Sequence, residues 1–397
     1  MTLLIIIHKI INYDNSKSAA FGYRSPSMHL PVFDKDQRRI VQELRKSGAL
    51  SRTALANRLE ISPAALTKLS RTLLSMGVVE ELDDPAHAAR GRPAVPLQLA
   101  STGGYAIGAT AHKGVLELAL VDFAGATIGT HHETIAPIDP RQFARKLRDL
   151  THELVGRYNL IGRRMLGMGI AVPGPALSIE GERWSVVDAL PGWRGAPLRE
   201  IMAGELAWPL WLENDANAAA LAEYYLGGLM RDFSTVVVVL LGYGIGAGVI
   251  VDGRLVRGQY GVAGEVGCLF PMDRPRPSPL DLLACLRAEG CAITSVAQID
   301  ASALDQRATI EAWMDRAAGQ LEAVCNNAFA WLDPGAIVLA GPLPAEILRG
   351  LEERLSQALL ASTVEGRRPP VRVSGLGGSP ITLGAALLPI HALGARE

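Results

Sequence analysis

Apolar residues recur along this chain in two rhythms, and the change between them falls near residue 100. From Pro31 to Leu99 the spacing is helical and is broken by short turns. Phe33, Ile40, Val41 and Leu44 make one stripe, which ends at Gly48. Ser51 is positioned as the N-cap of a second helix carrying Leu55 and Leu59. Ser62 and Pro63 open a third, since a Ser oxygen caps free amides and Pro has its φ preset for a first helical position. This third helix turns Leu66, Leu69 and Leu73 inward, stops at Gly77, and leaves Ala64, Thr67, Lys68 and Arg71 on its other face. Val78–Leu82 and Ala94–Leu99 then read as two strands of a hairpin with Arg90-Gly91-Arg92-Pro93 at its tip.

From Gly104 strands alternate with helices. Residues 105–109, 115–121 and 127–130 predict a three-stranded meander, followed by a helix around 141–158 and an apolar strand over 165–172. Strands at 210–213 and 235–241, a hairpin around Asp252-Gly253, and helices at 280–290 and 305–331 follow. A strand at 337–339 and a helix over 384–393 close the chain. A meander followed by an α/β unit, occurring twice, predicts a two-lobed α/β protein with a cleft between the lobes.

The 397 residues allow two or three domains at roughly 150 residues each. A formal net charge of -1 and 20% charged residues exclude a disordered chain and one that coats nucleic acid along its whole length. Residues 1–100, however, hold 14 Lys/Arg against 9 Asp/Glu, leaving 25 against 31 for the remainder. Singly, Lys68 and Arg71 would be a solvated face, and Arg-Gly-Arg-Pro an ordinary turn. Their ordered combination within a basic segment points to a winged helix-turn-helix over 31–100 that binds double-stranded DNA. Thr67, Lys68 and Arg71 would enter the major groove, and Arg90 and Arg92 would reach a minor groove or phosphates.

Residues 1–30 are expected to be a disordered tail. The apolar start is too short for a membrane span and is interrupted by Lys9, and Met28 is an alternative start. Cys268, Cys285, Cys291 and Cys325 lie far apart without a C-x-x-C pair, which fits a reducing cytoplasm and no disulfide framework.

Three segments carry cleft chemistry. Glu213-Asn214-Asp215-Ala216-Asn217 sits where a strand ends and a helix begins, so Asp215 can act as a base toward a hydroxyl or accept its hydrogen bond, while the Asn residues can equally be helix caps. Gly242-Tyr243-Gly244-Ile245-Gly246-Ala247-Gly248 suits either close approach to a phosphate or a tight hairpin. Gly264-Glu265-Val266-Gly267-Cys268 puts a carboxylate in a Gly-rich loop.

In this order, and with Val172-Pro173-Gly174-Pro175, Leu190-Pro191-Gly192-Trp193, Asp252-Gly253, Ile337–Gly341 and Gly384-Ala385-Ala386, these segments resemble the ROK family of repressors, open reading frames and sugar kinases. The resemblance runs from about Gly104 to the C-terminus. It implies an actin-like ATPase (RNase H-like) sugar-kinase fold over 101–397, and the front resembles the winged helix of the family's repressors.

The departures from the family pattern shape the functional expectation. The family's Asp-x-Gly-Gly-Thr phosphate loop is here Gly108-Ala109-Thr110-Ala111-His112-Lys113, its Gly-Thr-Gly is Gly242-Tyr243-Gly244, and its adenosine segment is Ala340-Gly341-Pro342. A kinase needs metal and oriented donors around the γ-phosphate, so a non-kinase is expected, with no cofactor. The family's zinc and sugar His is Cys268, its zinc Cys run is Pro275-Arg276-Pro277-Ser278-Pro279, its sugar-contacting Glu corresponds to Asp281, and a polar Asn is Ala189. Zinc is expected to be absent. Asn214, Asp215, Glu265, Cys268 and Asp281 are the effector-site candidates. The resulting expectation is a cytoplasmic, sugar-responsive repressor that acts as a homodimer or homotetramer on an inverted-repeat operator, without a membrane partner. An ATP-dependent sugar kinase with an appended DNA-binding domain is the alternative, and a scaffold that binds DNA without sensing anything is a third.

Overall fold

The computed structural model describes residues 30–82, 95–112, 114–177, 183–186, 190–299, 307–358, 366–376 and 380–394. The expected tail up to residue 29, the hairpin tip with Arg90 and Arg92, and Ala189 lie outside the described residues.

Helix α1 (Lys35–Ser47) starts in a capping box, the Asp34 carboxylate accepting from Gln37 N at 2.8 Å and Gln37 Oε1 accepting from Asp34 N at 3.0 Å. Strand β1 (Leu50–Ser51) leads into α2 (Arg52–Leu59) and α3 (Pro63–Ser75), capped as expected by Ser51 and Ser62 with Pro63 in the first turn. Strands β2 (Val79–Glu81) and β3 (Pro96–Leu99) form an antiparallel sheet in the order β1-β3-β2. The two residues of β1 carry no period and were not anticipated. One core position differs from expectation: Leu69 is only partly buried, whereas Ser70 is fully buried and donates its hydroxyl to Thr67 O.

The first lobe comprises β4 (Tyr105–His112), β5 (Val115–Asp122), β6 (Thr127–Thr134), α4 (Pro140–Arg157), β7 (Met165–Val172), α5 (Leu198–Ala203) and β8 (Leu210–Asn214). Helices α6 (Asp215–Tyr225) and α7 (Leu229–Asp232) lead to the second lobe. That lobe holds β9 (Thr235–Leu241), β10 (Ile245–Val251), β11 (Arg254–Leu255), α8 (Pro279–Ala288), α9 (Arg307–Leu332), β12 (Ala336–Ala340), α10 (Ala345–Ala358) and β13 (Val371–Val373). Helix α11 (Pro380–Gly394) returns to the first lobe. The sheets run β6-β5-β4-β7-β8 and β11-β10-β9-β12-β13. Each is therefore an antiparallel meander extended by two parallel strands, in the same order, which bears out the expected duplication.

Both faces of each sheet are covered, so the central strands read as unbroken apolar runs. In β9, Val237, Val239 and Leu241 join the outer core with Trp313 and Leu351, while Val236, Val238 and Leu240 face the middle layer. In the first lobe Ile107, Leu116 and Leu118 pack with Phe143 and Trp193, whereas Ala106, Ala119 and Val121 face the other way. The middle layer is the pair α6 and α11, which touch through small residues. A Cβ on Gly384 would fall 1.7 Å from Ala218 O, and one on Gly108 2.2 Å from Ala386 N.

Gly384→Ala is therefore expected to destabilise by more than about 3 kcal/mol, or to prevent folding, because backbone stands in the way of the added methyl. Gly319→Ala, in α9 with nothing within 4 Å, should be neutral or stabilising by up to about 1 kcal/mol through helix propensity. Chemical denaturation of both variants tests the contrast.

Candidate functional site

Three arginines of the winged helix hold the domain itself together. Arg39 pairs with Asp36 at 3.0 Å, Arg52 with Glu81 at 2.5 Å, and Arg58 with Glu43 at 2.7 Å. Lys68 and Arg71 are exposed on α3, and among the described residues neither forms an ion pair. Thr67 lies on the same helix, but its hydroxyl bonds back to Pro63 O at 2.8 Å. Of this surface, Lys68 and Arg71 offer side-chain cations for phosphates or base edges.

The candidate effector site is built where β8 meets α6. Asn214 caps the helix, its Oδ1 accepting from Ala216 N at 2.8 Å and from Asn217 N at 3.3 Å. Its Nδ2 reaches Gly174 O at 3.1 Å and Glu265 Oε1 at 3.5 Å. One side chain thus both caps α6 and reaches Glu265 of the second lobe. Asp215, the first helical residue, is half-buried and accepts from the backbone N–H of Ala216 at 2.8 Å. Glu265 arrives from the second lobe because Gly264 (φ +88°) crosses β10 so closely that a Cβ there would lie 1.9 Å from Ala247 O. Burial, followed by the Glu265 charge, pushes the Asp215 carboxyl up to about 7 against the opposing Ala216 hydrogen bond, and burial raises Glu265 as well. The structure thus brings Asn214, Asp215 and Glu265 together.

It places the other two candidates differently. Cys268 is exposed on a single 3-10 turn, Val266–Leu269. The Asp281 carboxylate accepts from Trp313 Nε1 at 2.9 Å and from the Arg316 guanidinium, joining α8 to α9 inside the second lobe. The loop after Cys268 is fastened by Arg276, which donates to Gly267 O at 2.8 Å, and by Gln320, which donates to Pro275 O at 2.8 Å. Among the described residues no group of three or more His, Cys, Asp or Glu is placed to hold a metal ion. An exposed thiol on that turn does not fit a structural zinc site.

Two features were missed from the sequence. Glu213 is buried and ion-paired with Arg257 of the second lobe at 2.7 Å, and Asn217 Nδ2 also donates to it at 2.9 Å. Arg257 lies 44 positions away, so no local pattern could announce the pair. Tyr243, at the tip of the β9–β10 hairpin, lies near enough to Glu117 of the first lobe for that carboxylate, after burial, to raise its phenol pKa. Strand β4 runs without a break to His112 and pairs with β5 at His112–Val115, so Gly108–His112 of the stretch matched to the family's first phosphate loop is strand.

Comparison with known proteins fits this geometry. The ROK family profile matches residues 103–391, and that of winged helix-turn-helix DNA-binding domains matches 33–80. The chain belongs to the ROK family. It is 30% identical to an uncharacterized protein of Sinorhizobium fredii, y4fQ, over 91% of this chain and 92% of that one. It is 31% identical to the xylose repressor of Caldicellulosiruptor bescii, over 57% of this chain and 56% of that repressor. Among solved structures, a ROK transcriptional regulator homologous to the Escherichia coli Mlc protein shares the fold with a TM-score of 0.68 at 22% identity, covering 90% of this chain and 96% of that one. The chain thus carries an N-terminal winged helix-turn-helix followed by the ROK actin-like kinase fold. Among the described residues, no helix is long and apolar enough to cross a membrane.

A raised Asp215 pKa has a defined sign in stability. The unfolded chain releases this proton near the ordinary value of 3.8, whereas the folded chain keeps it to about 7. Its contribution is present at low pH and lost as the pH rises through 7. Asp215→Asn should therefore gain stability relative to the parent between pH 5 and pH 8, and denaturant titrations at the two pH values check this.

Proposed function

We propose that this ROK protein is a DNA-binding transcriptional repressor whose kinase-like domain binds a sugar or sugar derivative as effector and does not phosphorylate it. The observation that carries the reading is the joining, in one packed unit, of a winged helix with Lys68 and Arg71 outward and a cleft where Asn214, Asp215 and Glu265 converge. An amide and two carboxyl groups match the donor and acceptor pattern of sugar hydroxyls. The absence of the family's phosphate-loop Asp and Gly pair from Gly108–Lys113 and the Tyr243 ring in place of a hydroxyl at the second turn support the loss of phosphate transfer, which needs metal and oriented donors. Sugar binding would alter closure of the two lobes, and with it the placing of two winged helices on an inverted repeat in a dimer. The protein acts where its DNA is, in the cytoplasm.

A duplex selected by the protein from a random-sequence pool provides the DNA test. Arg71→Ala should weaken binding and lower the salt slope by about one unit, as expected for loss of one phosphate contact. Deletion of residues 31–99 should abolish binding, and full binding without them would exclude this reading. Calorimetry against D-xylose, N-acetyl-D-glucosamine, D-glucose and their phosphates then identifies the effector class, the first two chosen because xylose and N-acetylglucosamine repressors are among the relatives. Loss of the heat signal in Asp215→Ala would assign it to the cleft.

A kinase reading has one observation in its favour, the Asp215 carboxyl at a strand end with a pKa near neutrality, suited to general-base work. It expects ATP-dependent sugar phosphorylation in a coupled assay, abolished by Asp215→Asn. Absence of ATP binding by the full chain excludes it.

A further inference from the structure

Among the described residues, the winged helix is fastened chiefly to the first lobe and α11. Arg45 of α1 donates to Phe123 O at 2.9 Å and Ala124 O at 3.1 Å, with its guanidinium 5.4 Å from the Phe123 ring centroid and 5.8 Å from that of Tyr225. Phe33 packs edge-on against Phe123, and Arg164 reaches Met76 O at 3.2 Å. Val41 and Leu44 share one apolar cluster with Phe123, Leu166, Ala222 and Ile390. Toward the second lobe, by contrast, α1 faces a crevice of about 540 Å³ whose walls include Arg39, Glu43 and Lys46 on one side and Asp232, Asp252 and Arg254 on the other. The DNA-binding domain thus packs onto the first lobe and α11, with a crevice between α1 and Asp232, Asp252 and Arg254.

One element crosses this arrangement from end to end. Helix α6 begins at the cleft, where Asn214 caps it and Asp215 is its first residue, and ends at Tyr225 against the winged helix. Eleven residues make it about 16 Å long at 1.5 Å per residue. It cannot bend freely. Gly248 of the second lobe lies against Ala216 and Ala220, and Gly384 of α11 against Ala218, so closely that an added Cβ would fall 2.5 Å and 1.7 Å from backbone oxygens. At its far end the Tyr225 hydroxyl is 2.9 Å from His391 Nδ1 and within hydrogen-bonding reach of Gln42 on α1. Gln42 in turn sits against Gly394, the last residue of α11.

We infer that α6 is a rigid relay that passes the state of the cleft to the DNA-binding domain, with Tyr225 and Gln42 as the joint. A ligand that draws Asp215 and Glu265 together would shift α6 along with the second lobe, and the joint would tilt α1 into or out of the crevice. Packed elements transmit such displacements because their contacts switch between discrete arrangements rather than deforming continuously. The inference rests on the cleft being the effector site, and it assigns positioning rather than binding roles to Tyr225 and Gln42.

The test uses the full chain, the selected duplex, and D-xylose, D-glucose and N-acetyl-D-glucosamine as sugar probes. In the parent protein the bound sugar should shift duplex affinity by about tenfold, within the usual range of coupling between sites. In Tyr225→Phe, and again in Gln42→Met, calorimetric sugar affinity and sugar-free duplex affinity should stay within about twofold while the shift falls below about threefold. A merely structural role would move the basal affinities instead, and that result, or a fully retained shift, overturns the relay. A second arm needs no sugar. Asn214→Ala uncaps α6 at the cleft and should raise amide exchange in Lys35–Ser47 several-fold, but should add nothing in a Tyr225→Phe background. Unchanged exchange in Lys35–Ser47 overturns the relay. A response there in a parent protein whose DNA affinity ignores every sugar supports the relay and counts against the effector reading.

Discussion

The close contact of α6 with α11 is the constraint on which the molecule depends. Two five-stranded sheets share this middle layer. Here the layer is thin because Ala216, Ala218, Ala219, Ala220, Ala385 and Ala386 are fully or nearly fully buried and the facing strands carry Gly108, Gly169 and Gly248. The gain is dispersion contact at backbone distance. The consequence is that neither helix can move without the sheet it touches.

From this constraint the site follows. The N-terminus of α6 is held at the ends of β7 and β8, so Asn214 meets Gly174 O on one side and Glu265 on the other. Glu213, one residue earlier, turns inward to Arg257 and ties the second-lobe loop that carries Glu265 to the first lobe. Burial keeps protons on both Asp215 and Glu265 at higher pH than in water, and the Glu265 charge adds to the effect on Asp215. Such a site suits hydroxyl groups, which both accept and donate.

The winged helix is a separate matter in sequence but not in packing. Its own caps and stripes specify its elements, yet its core is completed by Phe123, Leu166, Ala222 and Ile390 of the larger domain. Arg45 shows why the charge count alone misleads. It contributes to the basic front of the chain, yet it faces inward and orients the domain, whereas Lys68 and Arg71 on α3 remain exposed. The same holds for Asp281, which lies near the cleft motifs in sequence and is engaged by Trp313 and Arg316 instead.

Local physics was legible from the residues. Ser51, Ser62 and Pro63 announced two helix starts, the apolar runs announced the buried strands, and the change of rhythm near residue 100 marked the boundary between a basic reader and a larger α/β body. Helix α10 had a readable stripe in Ile347, Leu348, Leu351 and Leu355 but was not assigned, while the three residues of β13 are too few to carry a period. By itself the sequence determined most of the elements, their order and the duplicated meander, because caps, turns and hydrophobic periods act over a few residues. Only the tertiary structure decided that Asn214, Asp215 and Glu265 meet, that Glu213 faces Arg257, and that Tyr225 reaches the winged helix. Those contacts join positions tens to more than a hundred residues apart, and close packing rather than local preference sets them.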